Sequence, residues 1–496
     1  MASDKPIRVV GGGFGGLSAA IALASVGKRV ILHEKQEQLG GKASSRTIGA
    51  FRFDTGPSLL TLPVVFERLF ALSGHKMENY IPIVPLSPLT HYWFSDHTHF
   101  TSDLLERFIP TLTKHLSVTE KEVSRYFSHT KKIWEITNGV FLEKSLHTAS
   151  TYLSKNTLGS LLGIGYIDAF RSMHTANATS FSDSRMIQLL DRYGTYNGSD
   201  PYKAPATLNM ISYVEHGLGG FGVSNGIYGI IEGMEKLARE LGVEIETKSE
   251  VEKILYNHSN RHIEGLLIAG EKIECDCVVS GVDVSTLYEK LLDDTEAPLA
   301  QRYRRLAPSS SALVFYWGID RSFNQLGLHN IFFSSDYKRE FEQIHRFSQV
   351  PLEPTIYINI TSKLTPTDAP LGQENWFVLV NAPCDDGRDW QAELHETRMH
   401  IINRLSNILD VDLGTHVVAE DSWTPRQIAD ETGSYRGSLY GISSNTKMAA
   451  FLRHPNFSRR YRGLYLCGGS VHPGGGMPLS VQSGMIAAEL LLKRKY

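Results

Sequence analysis

At 496 residues the chain has room for two or three domains of about 150 residues each. Its composition is ordinary for a globular protein, 42% hydrophobic and 21% charged, and a net charge of −3 with no long basic block argues against a nucleic-acid partner. Four scattered cysteines, Cys275, Cys277, Cys384 and Cys467, supply neither a disulfide framework nor a tetrahedral metal site.

The first element to read is a predicted strand over residues 7–10, followed by a turn with glycines at 11, 12, 13, 15 and 16 and an Ala-rich helix. A second strand, residues 30–33, ends at Glu34 and Lys35. This is a dinucleotide-binding pattern: Gly11 makes the tight turn, Gly13 lets backbone approach a diphosphate, and Gly16 lets the helix pack closely on its strand. The diphosphate sits on the helix N-terminus, and Glu34 offers a carboxylate to the ribose hydroxyls. The uncharged run from Val9 to Gly27 is too glycine-rich at its start for a spanning helix or cleavable signal, which predicts a cytoplasmic protein. A second glycine pair, Gly40-Gly41 before Lys42, and then Phe53-Asp54-Thr55-Gly56-Pro57-Ser58, bring more backbone close to a ligand. An extended flavin dinucleotide needs that; a nicotinamide one does not.

Further along, residues 64–72 read as a short helix and Pro82, Pro85 and Pro88 mark a connection. Thr119-x-x-Glu122 is a capping box opening a helix with apolar residues at Val123, Tyr126, Phe127 and Ile133. The apolar stretch 158–170 is too short to cross a bilayer and reads as a core helix rather than an interfacial one. From Asp191 to Ala206 a Gly- and Pro-broken aromatic segment suits a cavity lining. A helix follows Gly226 and stops at Gly242. Strands are predicted over 243–246, 251–255, 263–268 and 272–279, the last two forming a hairpin and placing Cys275 and Cys277 on one face. Four strands, 312–318, 331–334, 355–361 and 376–381, then form an antiparallel wall, and a helix over 390–409 closes it. The tail carries a strand ending at Gly468, the loop His472-Pro473-Gly474-Gly475-Gly476, and a terminal helix over 480–492 whose N-terminus suits the electron-rich side of a reduced flavin.

Taken together the sequence resembles the bacterial-type phytoene and carotenoid desaturases, a family of flavoproteins. The resemblance rests on the N-terminal fingerprint, Phe53-Asp54-Thr55-Gly56-Pro57, the 198–206 segment, Gly219-Gly220, Val278-Val279-Ser280-x-x-Asp283, Asp368-Ala369-Pro370-x-Gly372 and the 472–476 loop. It implies an α/β fold with a Rossmann-like FAD-binding domain built from both chain ends, an inserted α+β substrate domain and a helical, membrane-facing lid. The corresponding ranges are 1–88, 222–308 and 415–496 for FAD, 89–221 for the helical lid, and 309–414 for the antiparallel-sheet substrate domain. It further implies that Gly11, Gly13, Gly15, Gly16 and Glu34 hold the ADP part, Gly41 and Lys42 lie along the diphosphate, and Val251 pairs with adenine. Gly469, Gly476, Met477, Pro478 and Leu479 cradle the ring system. Phe14, Lys35, Gly56, Pro57, Ser58, Leu59 and Gly468 complete the set. Two departures stand out: Lys42 replaces a common Arg, a point charge instead of a fork, and Gly469-Ser470-Val471 precedes His472-Pro473. The second is similar to the branch of 1′-hydroxycarotenoid 3,4-desaturases.

The implied chemistry removes two hydrogens across a saturated C–C bond, with hydride passing to FAD, in carotenoid biosynthesis. A polyene has no polar handle along most of its length, so binding must come from apolar area. A C40 chain is about as long as the 30 Å apolar bilayer, which implies a peripheral association with the inner membrane surface. Quinone or oxygen would reoxidise the flavin. Asp191, Arg192 and His472 are the candidate catalytic residues, with Tyr193, Tyr196 and Tyr202 as aromatic neighbours able to face a developing cation. For Asp191 and Arg192 the plainer alternative is a surface ion pair; for His472, a hydrogen bond stapling its loop to backbone. Three other functions share the motifs: a redox-neutral polyene isomerase, a flavin amine oxidase, and a non-catalytic prenyl-binding escort protein.

Overall fold

The computed structural model describes residues 5–139, 144–148, 164–446 and 452–493. The β-branched, apolar runs Ile7–Val10 and Val30–His33 pair in parallel at the heart of a five-stranded sheet. Its order is Leu464–Leu466, Val278–Ser280, Ile7–Val10, Val30–His33, Glu244–Glu246, parallel throughout. Val9 sets the register, opposite Leu32 on one side and Val279 on the other. Strands from the two ends of the chain therefore share one sheet, as a dinucleotide fold built from head and tail requires.

The helix Phe14–Ala24 is buried along its whole length, so its sequence shows almost no polar face. It lies against the sheet and between the helices Tyr228–Glu240 and Met477–Lys493, all in one apolar core. The contact with Met477–Lys493 is made by glycine. A Cβ on Gly484 would stand 2.3 Å from the Gly15 carbonyl oxygen, and one on Gly15 would stand 2.6 Å from the Gly468 nitrogen. Any larger residue forces the two ends apart, because a close-packed interior offers no slack.

A seven-stranded sheet forms the second layer, in the order Val417–Trp423, Ser311–Ile319, Glu374–Ala382, Ile356–Asn359, His329–Phe332, Thr90–Trp93, His99–Ser102. The four expected strands are its centre, but the sheet is larger and not wholly antiparallel: His329–Phe332 runs parallel to Thr90–Trp93. Two strands come from the 89–221 segment read as a helical lid, and one from the tail assigned to the FAD domain. These strands are short or polar; Thr90–Trp93 and His99–Ser102 form a local hairpin whose attachment to His329–Phe332, like that of Val417–Trp423 to Ser311–Ile319, is a long-range pairing that alternation alone does not reveal.

The expected strand over 272–279 divides. Glu271–Glu274 closes a three-stranded antiparallel sheet with Val251–Tyr256 and Ile263–Ile268, whereas Val278–Ser280 joins the parallel sheet. Cys275 and Cys277 sit at the crossing, and the first is buried in one core while the second packs on the other, so they do not share a face. The capping box is present in full: Thr119 Oγ1 accepts from the Glu122 amide and Glu122 Oε2 accepts from the Thr119 amide. Residues 158–163 of the apolar stretch lie outside the described residues. In its described tail Ile167 is buried, while Tyr166 and Phe170 are exposed, Phe170 to 84%, so that part is core on one side only.

Candidate functional site

Two clefts meet near the ends of the chain. The first, of about 490 Å³, is walled by the glycine turn, the end of Val30–His33, and the loop after Leu464–Leu466. Gly11 adopts φ +94°, a region open to glycine, and a Cβ on Gly16 would overlap the Gly11 carbonyl at 1.9 Å. Gly16 is therefore required by the turn itself, more than by the strand. Gly13 differs: a Cβ there would meet nothing closer than 3.7 Å, and the open space is the cleft. The helix beginning at Phe14 has no side-chain cap and no acidic residue in its first turn, which leaves its amides and its positive end for an anion.

Glu34 is buried and accepts from the Gly12 amide (2.7 Å) and the Gln36 amide (2.9 Å) while lining the cleft. A carboxylate has lone pairs left after two such bonds. Lys42 Nζ donates to the carbonyls of Ser438 and Leu439, each at 2.8 Å. Burial pushes its pKa down to about 8, against the opposing pull of Asp283. Lys35 instead donates to the Asp430 carbonyl at 2.6 Å. Of the expected cofactor residues, Gly11, Gly13, Phe14, Gly15, Gly16, Glu34, Lys35, Gly41, Lys42, Val251, Gly468 and Gly469 line this cleft.

The second cavity, of about 400 Å³, is mostly apolar, with Leu208, Ile211, Val214, Ile331 and Leu379 among its walls. Ser58, Leu59, Pro478 and Leu479 line this cavity alone, while Gly56, Pro57, Gly476 and Met477 line both. The junction is thus made by Gly56-Pro57 on one side and Gly475-Gly476-Met477 on the other. The terminal helix starts at Met477, three residues earlier than expected, with the Gly476 carbonyl accepting from the Ser480 amide. Its N-terminal end lies at the junction. Arg453, which the sequence did not single out, is buried there and donates to the carbonyls of Tyr440 (3.0 Å) and Gly469 (3.2 Å).

The candidate catalytic residues separate. Asp191 and Arg192 are both buried and not paired with each other, so a surface ion pair is excluded. Asp191 accepts from His174 Nδ1 (2.7 Å) and Asn177 Nδ2 (2.8 Å) and does not line the cavity; burial raises its pKa. Tyr202 packs on His174, also away from the cavity lining. Arg192 does line the cavity. Its guanidinium bonds Glu215 at 2.6 Å, Tyr92 at 2.5 Å, Tyr193 at 3.0 Å and Tyr196 at 3.1 Å. Its carbon also lies over the faces of those three rings. Burial alone would raise the Glu215 pKa, but Arg192, His216 and the tyrosine hydroxyls outweigh it and hold the carboxyl below its usual range.

His472 lines the cavity, and its Nε2 lies 2.8 Å from the Lys144 carbonyl. A carbonyl only accepts, so Nε2 carries the proton. Burial lowers the His472 pKa to about 4, which makes the ring a neutral staple and a weak base. Sequence reading missed Glu215, and a signal existed: a charge at an inward position of the apolar helix Met210–Leu218, between Val214 and His216. Among the described residues no His/Cys/Asp/Glu group could hold a metal.

Comparison with known proteins agrees with this geometry. Residues 14–492 match the family model described as flavin containing amine oxidoreductase. The chain is 41% identical to a 1-hydroxycarotenoid 3,4-desaturase of a Flavobacterium species, over 98% of this chain and 99% of the other. It is 34% identical to a 4,4′-diapolycopene oxygenase of a Methylomonas species, over 99% and 98%. In fold it is similar to an oxidoreductase from Methanosarcina mazei, with a TM-score of 0.64, 15% identity, and coverage of 99% and 100%.

Proposed function

The chain belongs to the flavin-containing amine oxidoreductase family, and on that footing we propose that it is an FAD-dependent carotenoid desaturase acting at C3–C4 of a 1-hydroxycarotenoid or a close relative. The observation that carries the reading is the meeting of a dinucleotide cleft and an apolar cavity at Gly56-Pro57 and Gly475-Gly476-Met477. The cleft fits FAD on its own terms: open space at Gly13, uncapped helix amides, a buried acid at Glu34 and a half-buried ammonium at Lys42. FAD bound there supplies a two-electron acceptor for a hydride.

The chain's own groups do the rest. Apolar walls bind the hydrocarbon by area and keep water out. The N-terminal end of Met477–Lys493 favours negative charge at the junction. The Arg192, Glu215 and tyrosine cluster is electrically balanced and reaches the cavity through Arg192 and Tyr196, so it adds an aromatic ring to the wall without a net charge. His472 holds its loop against the Lys144 carbonyl.

Delivery from a lipid surface suits such a ligand. Exposed Tyr166, Phe170, Leu104 and Leu218 are large apolar side chains on the helical segment, and no helix among the described residues is long and apolar enough to cross a membrane. We place the protein on the cytoplasmic face of the inner membrane, with quinone or oxygen as the final acceptor. The test is incubation of the FAD-loaded protein with a panel of acyclic carotenoids in liposomes. The expected result is a product two hydrogens lighter with red-shifted absorbance. A product of unchanged mass would indicate an isomerase and refute the proposal.

A further inference from the structure

The second cavity is not apolar throughout. Three of the residues lining it carry a buried polar atom with no hydrogen-bond partner among the described residues: Arg192 Nε, Asn197 Oδ1 and His329 Nε2. Buried polar groups are normally satisfied, so each such atom calls for an explanation.

The protonation of His329 follows from its neighbours. Asn359 Nδ2 donates to the Leu328 carbonyl at 3.0 Å, which fixes the orientation of that amide, and it also lies 3.2 Å from His329 Nδ1. Nδ1 is therefore an acceptor and Nε2 carries the hydrogen. Tyr357 OH, 2.8 Å from the same Nδ1 and 2.6 Å from Ser58 Oγ, holds the ring from the other side. Arg192 already gives its terminal nitrogens to Glu215 and the tyrosines, which leaves the Nε hydrogen. The cavity wall thus carries two unused donors and one unused acceptor beside a neutralised ion pair.

Resting on the desaturase reading above, we propose that these residues form a specificity site for a neutral hydroxyl carried by the polyene. A hydroxyl accepts from an N–H and donates to an amide oxygen at once. A bare hydrocarbon satisfies neither, and a carbonyl oxygen would leave Asn197 unpaired. A charged end group has no counter-ion here, because Arg192 is already matched by Glu215.

Binding can be followed without turnover, by quenching of tryptophan fluorescence, since Trp134 lines the cavity. The ligands are two C40 polyenes of equal conjugation, one with a terminal tertiary hydroxyl and one with hydrogen in its place. The wild-type holoprotein should bind the hydroxylated polyene about tenfold more tightly. His329→Phe keeps ring volume and removes the donor, and should bring the ratio of dissociation constants towards one. His329→Gln restores an N–H and should recover most of it. Bound flavin per chain reports that each variant is folded. A wild-type ratio near one, or a ratio unmoved in His329→Phe, overturns the specificity site while leaving the desaturase reading intact. Failure of both polyenes to bind overturns that reading, and this site with it.

Discussion

Single residues divide by what their Cβ would touch. At Gly13 the space is open and the backbone is extended, so Gly13→Val should fold and yet fill the room meant for the diphosphate. The expected outcome is a protein with near wild-type far-UV dichroism and no yellow colour after purification. At Gly15 a side chain meets the backbone of Gly468, so Gly15→Val should lose both flavin and about 1–3 kcal/mol of stability, measured by urea unfolding of the flavin-free protein. Lys42 adds a pH dependence. Its ammonium, at a pKa of about 8, is charged below that pH and neutral above it, and an anionic ligand favours the charged form. FAD affinity should fall as pH rises through about 8, and Lys42→Arg should flatten the profile in titrations between pH 7 and 9. Much of this cleft could be read from residues alone, because the glycine turn, its helix and Glu34 are close in sequence and each has a local reason. The segment around Asn197 was legible as a cavity lining and Glu215 left a faint signal in its helix, but their partners, and the whole role of His329, could not be read. Their roles depend on burial and on partners brought from separate segments, such as Tyr92 to Arg192, which no short-range spacing encodes.

Elements were legible where they carry their own punctuation. Thr119 and Glu122 mark the start of Glu120–Thr137, and Thr119→Ala should cost about 1 kcal/mol in thermal or urea unfolding, with flavin content unchanged. Gly242, at φ +80°, ends Tyr228–Glu240 in the same readable way. Strands fared differently. Ser311–Ile319 and Glu374–Ala382 announce themselves as long apolar runs, each buried nearly throughout. Thr90–Trp93 and His99–Ser102 have four residues each; the first is paired by Ile331 and its neighbours, and the second is an edge strand held only by the first. The split at Cys275–Cys277 has the same origin: the chain leaves one sheet for another where the local pattern still reads as continuous strand.

At the scale of the whole molecule, buried histidines contribute to the response to acid. His216, His329, His454 and His472 are each shifted by burial to about 4, against about 6.5 in an unfolded chain. Above pH 6.5 both states are neutral at these sites and stability is unaffected. As pH falls from 6.5 towards 4 the unfolded state takes up protons that the folded state refuses, so stability declines across that window. Near pH 5 unfolding should take up about three to four protons at these groups, their contribution to the slope of unfolding free energy against pH. Burial raises the pKa of Asp191, Asp283, Glu340 and Asp368, which oppose this slope, so ring protonation followed by NMR in the folded protein is the check: an imidazolium at any of the four above pH 5 would show that it is not held neutral.

The glycine crossing at Gly15, Gly468 and Gly484 also bears on how the protein is made. The nucleotide pocket has no closed wall until Leu464–Leu466 and Met477–Lys493 arrive, so a nascent polypeptide on the ribosome cannot yet hold its coenzyme. Coenzyme loading should therefore wait on these two elements, and a nonsense codon before Leu464 should give a colourless product.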